Sequence, residues 1–378
     1  MSNRFVSGMV CGAIVLGLAA CGGGSSGESS SSQSDFARTV TKVIDNISRA
    51  YQLPSVSIAI ARRGVPFYSY SVGYADLADK FRANPSQIYQ IASVSKQFTA
   101  TAIMQLATAT PPFISLSDPL AKYFPDLNPN FDPRITIGQA LDMTTGLVTF
   151  ETLPEFQQWA QNGVDETTLL STVIAQPLLF TPGTRFNYSN SNYSALAAIV
   201  ERVTGKTFEQ YLTDNVIGPA NLNSTFFYLA PSGNAIGYED LIINDPAPRL
   251  PASVLQGPGS MSSTVLDLCK WDWELLSGEV VPPAVVKQMI TPSGVPDFTK
   301  PSIPSTYAYG LDVVSRFGRT EVLHDGTAPG FKATTATFPD TGWSIAIIVN
   351  NNPFNVIQLR EAIENAVCSP DSKLRSDC

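Results

Sequence analysis

Ser93 and Lys96 stand three residues apart in the stretch "IASVSKQFTA". On a helix that spacing puts both side chains on one face, one turn from each other. Ser95 is adjacent to Lys96 and about 100° away around the axis, so it cannot face the amine. If Lys96 activates a serine, geometry selects Ser93, which would also sit at a helix N-terminus where developing negative charge is favoured. Ile91, Val94, Phe98 and Ala102 surround Lys96 in sequence and are apolar enough to bury it. Burial lowers the pKa of a lysine and lets it act as a base. With 38 serines and 10 lysines, composition alone yields about one Ser-x-x-Lys, and the chain contains one. The ordinary alternative is a serine cap followed by a surface lysine, so the pair needs company.

Two further groups supply it. Tyr188-Ser189-Asn190 is the only Tyr-x-Asn in the chain and lies in a loop just ahead of an expected helix. A tyrosine beside a lysine can be held as phenolate and shuttle protons, and an asparagine amide can orient an acyl substrate. His324-Asp325-Gly326 closes an expected strand in "RTEVLHDG". A strand edge ending in glycine lets a substrate backbone approach closely and offers an N–H to an oxyanion. Taken singly, the first reads as a turn with a packing aromatic and the second as a packing imidazole.

Other chemistries fail on their own requirements. The single histidine, His324, excludes a His-Glu-x-x-His zinc site, and no metal is implied. The run Gly205-Lys206-Thr207 lacks the upstream glycine of a phosphate loop, and "GPGSMS" at 257–262 lacks the third glycine of a dinucleotide fingerprint. No nucleotide, flavin or other cofactor is expected. Gly-x-Ser-x-Gly occurs at residues 23–27, inside a Gly/Ser coil with no strand before it or helix after it. A Ser-His-Asp lipase built on His324 therefore lacks a nucleophile elbow. A net charge of −8 argues against a nucleic-acid partner, since phosphate binding needs a basic face.

The elements that must position these residues follow from period and breakers. A helix is expected over residues 35–51, then two strands in "SVSIAIARRGVPFYSYSVGYA" around a turn at Arg63-Gly64. The Ser93 segment reads as a helix ending before Pro111. A helix over 192–204 stops at Gly205, and Thr207 with Gln210 makes a capping box for the next one. After Pro304 strands return in "YAYGLDVVS", "RTEVLHDG", "KATTATFPDTG" and "WSIAIIVNN", with a last helix over about 355–367. Strands at both ends with helices between give an α/β (α+β) fold. Its central antiparallel sheet is built from the N- and C-terminal portions and flanked by helices, with a mostly helical subdomain inserted at about 110–304.

The termini carry separate signals. Arg4 precedes an apolar stretch and small residues before Cys21, a secretory signal over 1–20 that is too short for a stable bilayer span. Leu18-Ala19-Ala20-Cys21 resembles the lipobox of bacterial lipoproteins, in which the cysteine carries lipid. The Gly/Ser-rich run to residue 34 would tether the catalytic domain, residues 35–368, over about 20 Å. The expected location is the bacterial cell envelope, anchored to a membrane through Cys21 and facing the periplasm or exterior. Cys269 reads as a buried small hydrophobe. Cys368 and Cys378 bracket the polar tail 369–378 and could pair in an oxidising compartment.

Ser93-x-x-Lys96, Tyr188-x-Asn190 and His324-x-Gly326, in that order, resemble the serine β-lactamase and penicillin-binding-protein superfamily. The likeness is to the class C β-lactamase-related branch, which also holds D-alanyl carboxypeptidases, D-aminopeptidases and esterases. The stretches "ITIGQALDMTTGL", "FTPGTRFNYSN" and "HDGTAPGFKATTATFPDTGWSIAIIVNN" read similarly. The resemblance implies that Ser93 forms an acyl-enzyme, that Lys96 assists its deprotonation, and that Tyr188 shuttles protons and activates water. It implies that Asn190 binds the acyl amide and that the N–H groups of Ser93 and Thr327 form the oxyanion hole. A covalent route of this kind replaces one hard displacement by two easier steps. Lactamases of the branch usually carry Lys-Thr-Gly where this chain has His-Asp-Gly, and a mostly neutral imidazole is a poor trap for a substrate carboxylate. An exported serine hydrolase acting on an ester, amide or D-amino-acid peptide therefore ranks above a β-lactamase. The alternative is a catalytically silent relative that binds cell-wall peptides or a partner protein.

Overall fold

The computed structural model describes residues 28–127, 131–240 and 245–378. The signal over 1–20, Cys21 and the first part of the tether lie outside the described residues. Helix α1 spans Glu28–Ala50, so it takes up residues expected to belong to the tether. Phe36, Val40 and Ile44 on one face of α1 are buried. A helix held by such a stripe extends outward more readily than it nucleates.

Seven strands form one antiparallel sheet: β1 (Ser55–Arg62), β2 (Val65–Asp76), β3 (Phe81–Arg82), β4 (Asp312–Arg316), β5 (Arg319–Ala328), β6 (Phe331–Phe338) and β7 (Trp343–Val349). Their order is β3-β2-β1-β7-β6-β5-β4, so the N- and C-terminal portions meet where β1 pairs with β7. In that pairing Ile58 faces Ile347 and Ile60 faces Ile345. Arg63 and Gly64 turn the first hairpin with φ of 52° and 73°, the left-handed geometry that two-residue hairpins favour.

The side chains of β1 and β7 alternate between two buried faces. Ile58, Ile60, Ile345 and Ile347 pack with α1 and with helix α5 (Val356–Cys368), while Ala59, Ala61, Ala346 and Ile348 join the opposite core. Burying one such Ile or Val contributes about 1.5–3 kcal/mol, which explains why these strands are apolar on both faces. The second core is continuous with α2 (Lys96–Thr108) and with helices of the insert, among them α3 (Asn190–Thr204) and α4 (Val265–Leu276). The insert therefore shares its core with the sheet. Gly205, left-handed at φ 69°, ends α3, and the capping box of Thr207 and Gln210 is formed.

On the α1/α5 side, fully buried Glu364 approaches Arg316 Nε at 2.6 Å and Arg360 Nε at 3.6 Å, with Glu321 also buried. A disulfide joins Cys368 to Cys378, and Cys269 is buried. Among the described residues, no group of His, Cys, Asp and Glu is arranged to hold a metal. No described helix is long and apolar enough to cross a membrane.

Candidate active site

The chain enters α2 through one turn of 3-10 helix, Ala92–Ser95, and the α-helix proper begins at Lys96. The sequence reading started the α-helix at Ser93. The difference arises at Ala92, whose φ of 49° lies where a side chain is disfavoured and bends the chain sharply before the serine. A three-residue strand, Met261–Ser263, holds this turn from outside. Ile91 N donates to Met261 O at 3.0 Å and Met261 N donates to Ser95 Oγ at 3.1 Å. Ser95 is the serine that fastens the turn, which leaves Ser93 to the cleft.

Gly326 on β5 presses against the same turn. A Cβ there would lie 2.3 Å from Ile91 O, a distance no side chain can occupy, so glycine sets how closely the strand approaches the serine.

Lys96 has no exposed surface. Its Nζ donates to Ser93 Oγ at 3.0 Å and to Pro258 O at 2.8 Å, and it lies 4.9 Å and 5.6 Å from the ring centres of Tyr188 and Tyr193. Burial lowers its pKa to about 7, against the opposing pull of the Glu151 charge. An amine so placed is neutral much of the time near neutrality and can accept the proton of Ser93.

Tyr188 keeps 38% of its surface exposed while its hydroxyl reaches inward to Ser93. Desolvation of that hydroxyl raises its pKa, the contact with Ser93 opposes the rise, and the charges of Glu151, Asp312 and Asp325 add to it. Tyr188 therefore rests as a phenol. Lys96 Nζ lies over the face of its ring, 4.9 Å from the centre.

Asn190 is the first residue of α3. Its Nδ2 donates to Glu151 Oε1, its backbone N donates to Thr149 Oγ1 at 3.1 Å, and Thr149 Oγ1 donates to Glu151 Oε2. Its Oδ1 is buried without a donor.

His324 is buried behind these groups, with Nε2 3.2 Å from Tyr307 Oη and Nδ1 2.7 Å from Asp325 O. Burial, and secondarily the charge of Lys96, pull its pKa down to about 3, so it is a neutral imidazole at physiological pH. Asp325 points to the other face of β5, where it accepts from Thr334 Oγ1. Thr327 Oγ1 accepts from Lys332 Nζ at 2.9 Å.

Ser93, Glu151, Asn190, Pro258 and Thr327 line one cleft of about 230 Å³. The fold thus brings together Ser93, Lys96, Tyr188, Asn190, His324, Gly326 and Thr327, drawn from three distant parts of the chain. Cys368 and Cys378 lie in the α1/α5 core. Sequence reasoning missed Glu151, the carbonyl of Pro258, and Tyr193 and Tyr307. Tyr193 follows Asn190 at helical spacing, which is a usable signal. No local pattern marks the others.

The arrangement offers a nucleophile, a buried amine able to deprotonate it, a phenol able to return a proton, and an acceptor-rich end of the cleft. Several known proteins share its frame. Protein flp of Staphylococcus aureus (strain N315) is 27% identical over 341 residues, which span 88% of this chain and 67% of that protein. The D-stereospecific amidohydrolase from Streptomyces sp. superposes with a TM-score of 0.73 at 23% identity, covering 86% of this chain and 98% of that one. EstCE1, a hydrolase with promiscuous acyltransferase activity, gives 0.73 at 20% identity over 88% and 99%. The family model described as Beta-lactamase matches residues 40–367, and with it the whole apparatus of sheet, insert and cleft: this chain belongs to the beta-lactamase family.

Proposed function

We propose that the protein is an exported serine hydrolase that cleaves an ester or amide through an acyl-enzyme on Ser93. The observation that carries this reading is the 3.0 Å contact between Ser93 Oγ and an Lys96 amine that has no exposed surface and no carboxylate bonded to it. Neutral Lys96 takes the proton of Ser93 as Oγ bonds to the substrate carbonyl carbon. The N–H groups of Ser93 and Thr327 receive the oxyanion. The leaving amine or alcohol takes the proton of Tyr188, and the Lys96 ammonium restores it. Water then attacks the ester, gives a proton to Lys96, and Ser93 leaves with that proton. Activation of water falls to Lys96 here because Tyr188 rests protonated.

Amide and ester substrates are favoured over β-lactams because His324 is neutral and enclosed, and supplies no cation for a substrate carboxylate. The D-stereospecific amidohydrolase and the promiscuous acyltransferase hydrolase of the same fold support that breadth. The signal-like stretch over 1–20 and the lipobox-like Cys21 support a location at a bacterial envelope on a lipid anchor. Metabolic labelling with a fatty-acid probe, lost in Cys21→Ser, tests the anchor.

A fluorophosphonate probe tests the chemistry. It should label the folded wild type and fail to label Ser93→Ala. A folded wild type that stays unlabelled and turns over no ester or amide would make the protein a silent binder.

A further inference from the structure

The loop that carries Tyr188 rests on a second loop, residues 143–151, and the contact between them turns on one side chain. Met143 has no exposed surface and a φ of 62°, a backbone region where a residue with a side chain is uncommon. In that conformation its carbonyl accepts from Asn187 N at 3.0 Å, and its thioether lies under the residues that follow. Met143 Sδ accepts from the backbone N of Ser189 at 3.5 Å and from Asn192 Nδ2 at 3.3 Å. Ser189 and Asn192 are themselves buried. The other partner of Asn192 fixes the orientation of its amide. Thr145 Oγ1 accepts from Leu147 N at 3.1 Å and donates to Asn192 Oδ1 at 2.6 Å, so the nitrogen end must face the sulfur. A thioether is a weak acceptor, but a buried backbone N–H with no acceptor is worse. The N–H of Ser189 belongs to the peptide plane that also contains the Cα of Tyr188, so its direction sets where the tyrosine stands.

We propose that Met143 is a positioning residue for Tyr188: its carbonyl and its sulfur hold the chain on either side of the tyrosine and keep the hydroxyl at Ser93. The inference rests on the serine-hydrolase reading above, in which Tyr188 gives its proton to the departing amine or alcohol, and adds what holds the phenol in place. Met143 does not line the cleft and acts through Tyr188 alone. A hydrocarbon side chain of the same size would fill the space yet offer the N–H groups of Ser189 and Asn192 nothing. The loop must then shift to find other acceptors, and the hydroxyl shifts with it. A misplacement of about 1 Å removes much of the effect of a well-placed group. The expected signature is specific. A leaving group that departs as a stable anion needs no proton, whereas an alkoxide does.

Ethyl butyrate and p-nitrophenyl butyrate share an acyl group and differ in that requirement. The test measures kcat/KM on both for the wild type, Met143→Leu, Tyr188→Phe and the double variant. Tyr188→Phe should lower the ethyl ester by about 10²-fold and the p-nitrophenyl ester by no more than about threefold. Met143→Leu should lower the ethyl ester by about tenfold, again sparing the p-nitrophenyl ester, and should add less than about twofold in the Tyr188→Phe background. Each split is a ratio on one enzyme sample, so a partly misfolded fraction cancels. Met143→Gln returns an acceptor on a chain of similar length; it should lower the ethyl ester by only about threefold, and it carries the comparison if Met143→Leu does not fold. The inference is overturned if the Met143 variants lower both esters by one factor or leave both unchanged, or if the Met143→Leu effect persists in full without the Tyr188 hydroxyl. Ser93-dependent cleavage by the wild type separates the two failures. If it is present and the split is missing, the role of Met143 alone is wrong; if neither ester is cleaved, the hydrolase reading fails and this inference with it.

Discussion

Two buried charged regions lie on opposite faces of the same sheet. On one, Lys96 meets Ser93 Oγ, a backbone carbonyl and two aromatic rings. On the other, Glu364 lies between Arg316 and Arg360 with Glu321 nearby. Desolvation dominates both. It lowers the Lys96 pKa and raises that of Glu364, where Glu321 adds to the rise and the two arginines oppose it. A displaced titration is thus common to both places and does not itself identify chemistry. The difference is contact: Lys96 touches a nucleophile at a cleft, whereas the Glu364 cluster is sealed between α5 and the strands. Only the first can pass a proton to a substrate.

Lys96→Met gives the largest expected effect and the sharpest division. Loss of the base should lower kcat/KM by about 10²–10⁴-fold, measured on the best ester. The same change should stabilise the fold, because holding a buried lysine at pKa about 7 instead of 10.5 is unfavourable by on the order of 4 kcal/mol at neutral pH. A variant both inactive and less stable in urea would mean that Lys96 is a structural cation. Gly326→Ala comes next. Its Cβ would displace the turn before Ser93, and a shift of that kind should reduce kcat by about 10²-fold, with the melting temperature reporting any wider damage.

The pH profile is a milder test. Activity should fall as pH drops through about 7, where Lys96 becomes protonated, and should level off above it. His324, at about 3, adds no inflection between, so His324→Gln should leave the midpoint in place. Stability runs by linkage: the unfolded lysine binds more protons between pH 7 and 10.5, so this group's contribution to stability rises across that window. The smallest effect on turnover belongs to Glu364→Ala. It should destabilise the protein by about 3–5 kcal/mol, by leaving the buried Arg360 guanidinium without its carboxylate while partly exposed Arg316 keeps Glu361, yet keep kcat/KM of the folded fraction within about twofold. A larger loss of turnover would show that the sealed cluster is coupled to the cleft.

Much of the site was legible because its parts are short. Ser93 and Lys96 are one helical turn apart, Tyr188 and Asn190 flank a helix start, and His324 and Gly326 share a strand face. The sheet strands were legible too, since residues buried on both faces read as apolar runs. Glu151 was not, because its meaning depends on meeting Asn190 across the fold. The placing of Lys96 over the Tyr188 ring was hidden for a related reason, since neighbours in sequence do not reveal it. The 3-10 entry at Ala92 was invisible because alanine gives no local sign of a left-handed backbone. The early start of α1 escaped because serine-rich composition reads as coil.

The pairing of β1 with β7 has a consequence for biosynthesis. As the chain emerges, the hairpin of β1 and β2 is complete long before residues 343–349 exist. Until then β1, apolar on both sides, exposes an unsatisfied edge of the sort that recruits other strands. Completion is a late, non-local event and is expected to be slow. The last strands act as a proof of full length: a chain cut short before Trp343 leaves its first hairpin open to aggregation, and a cell's quality control meets it in that form.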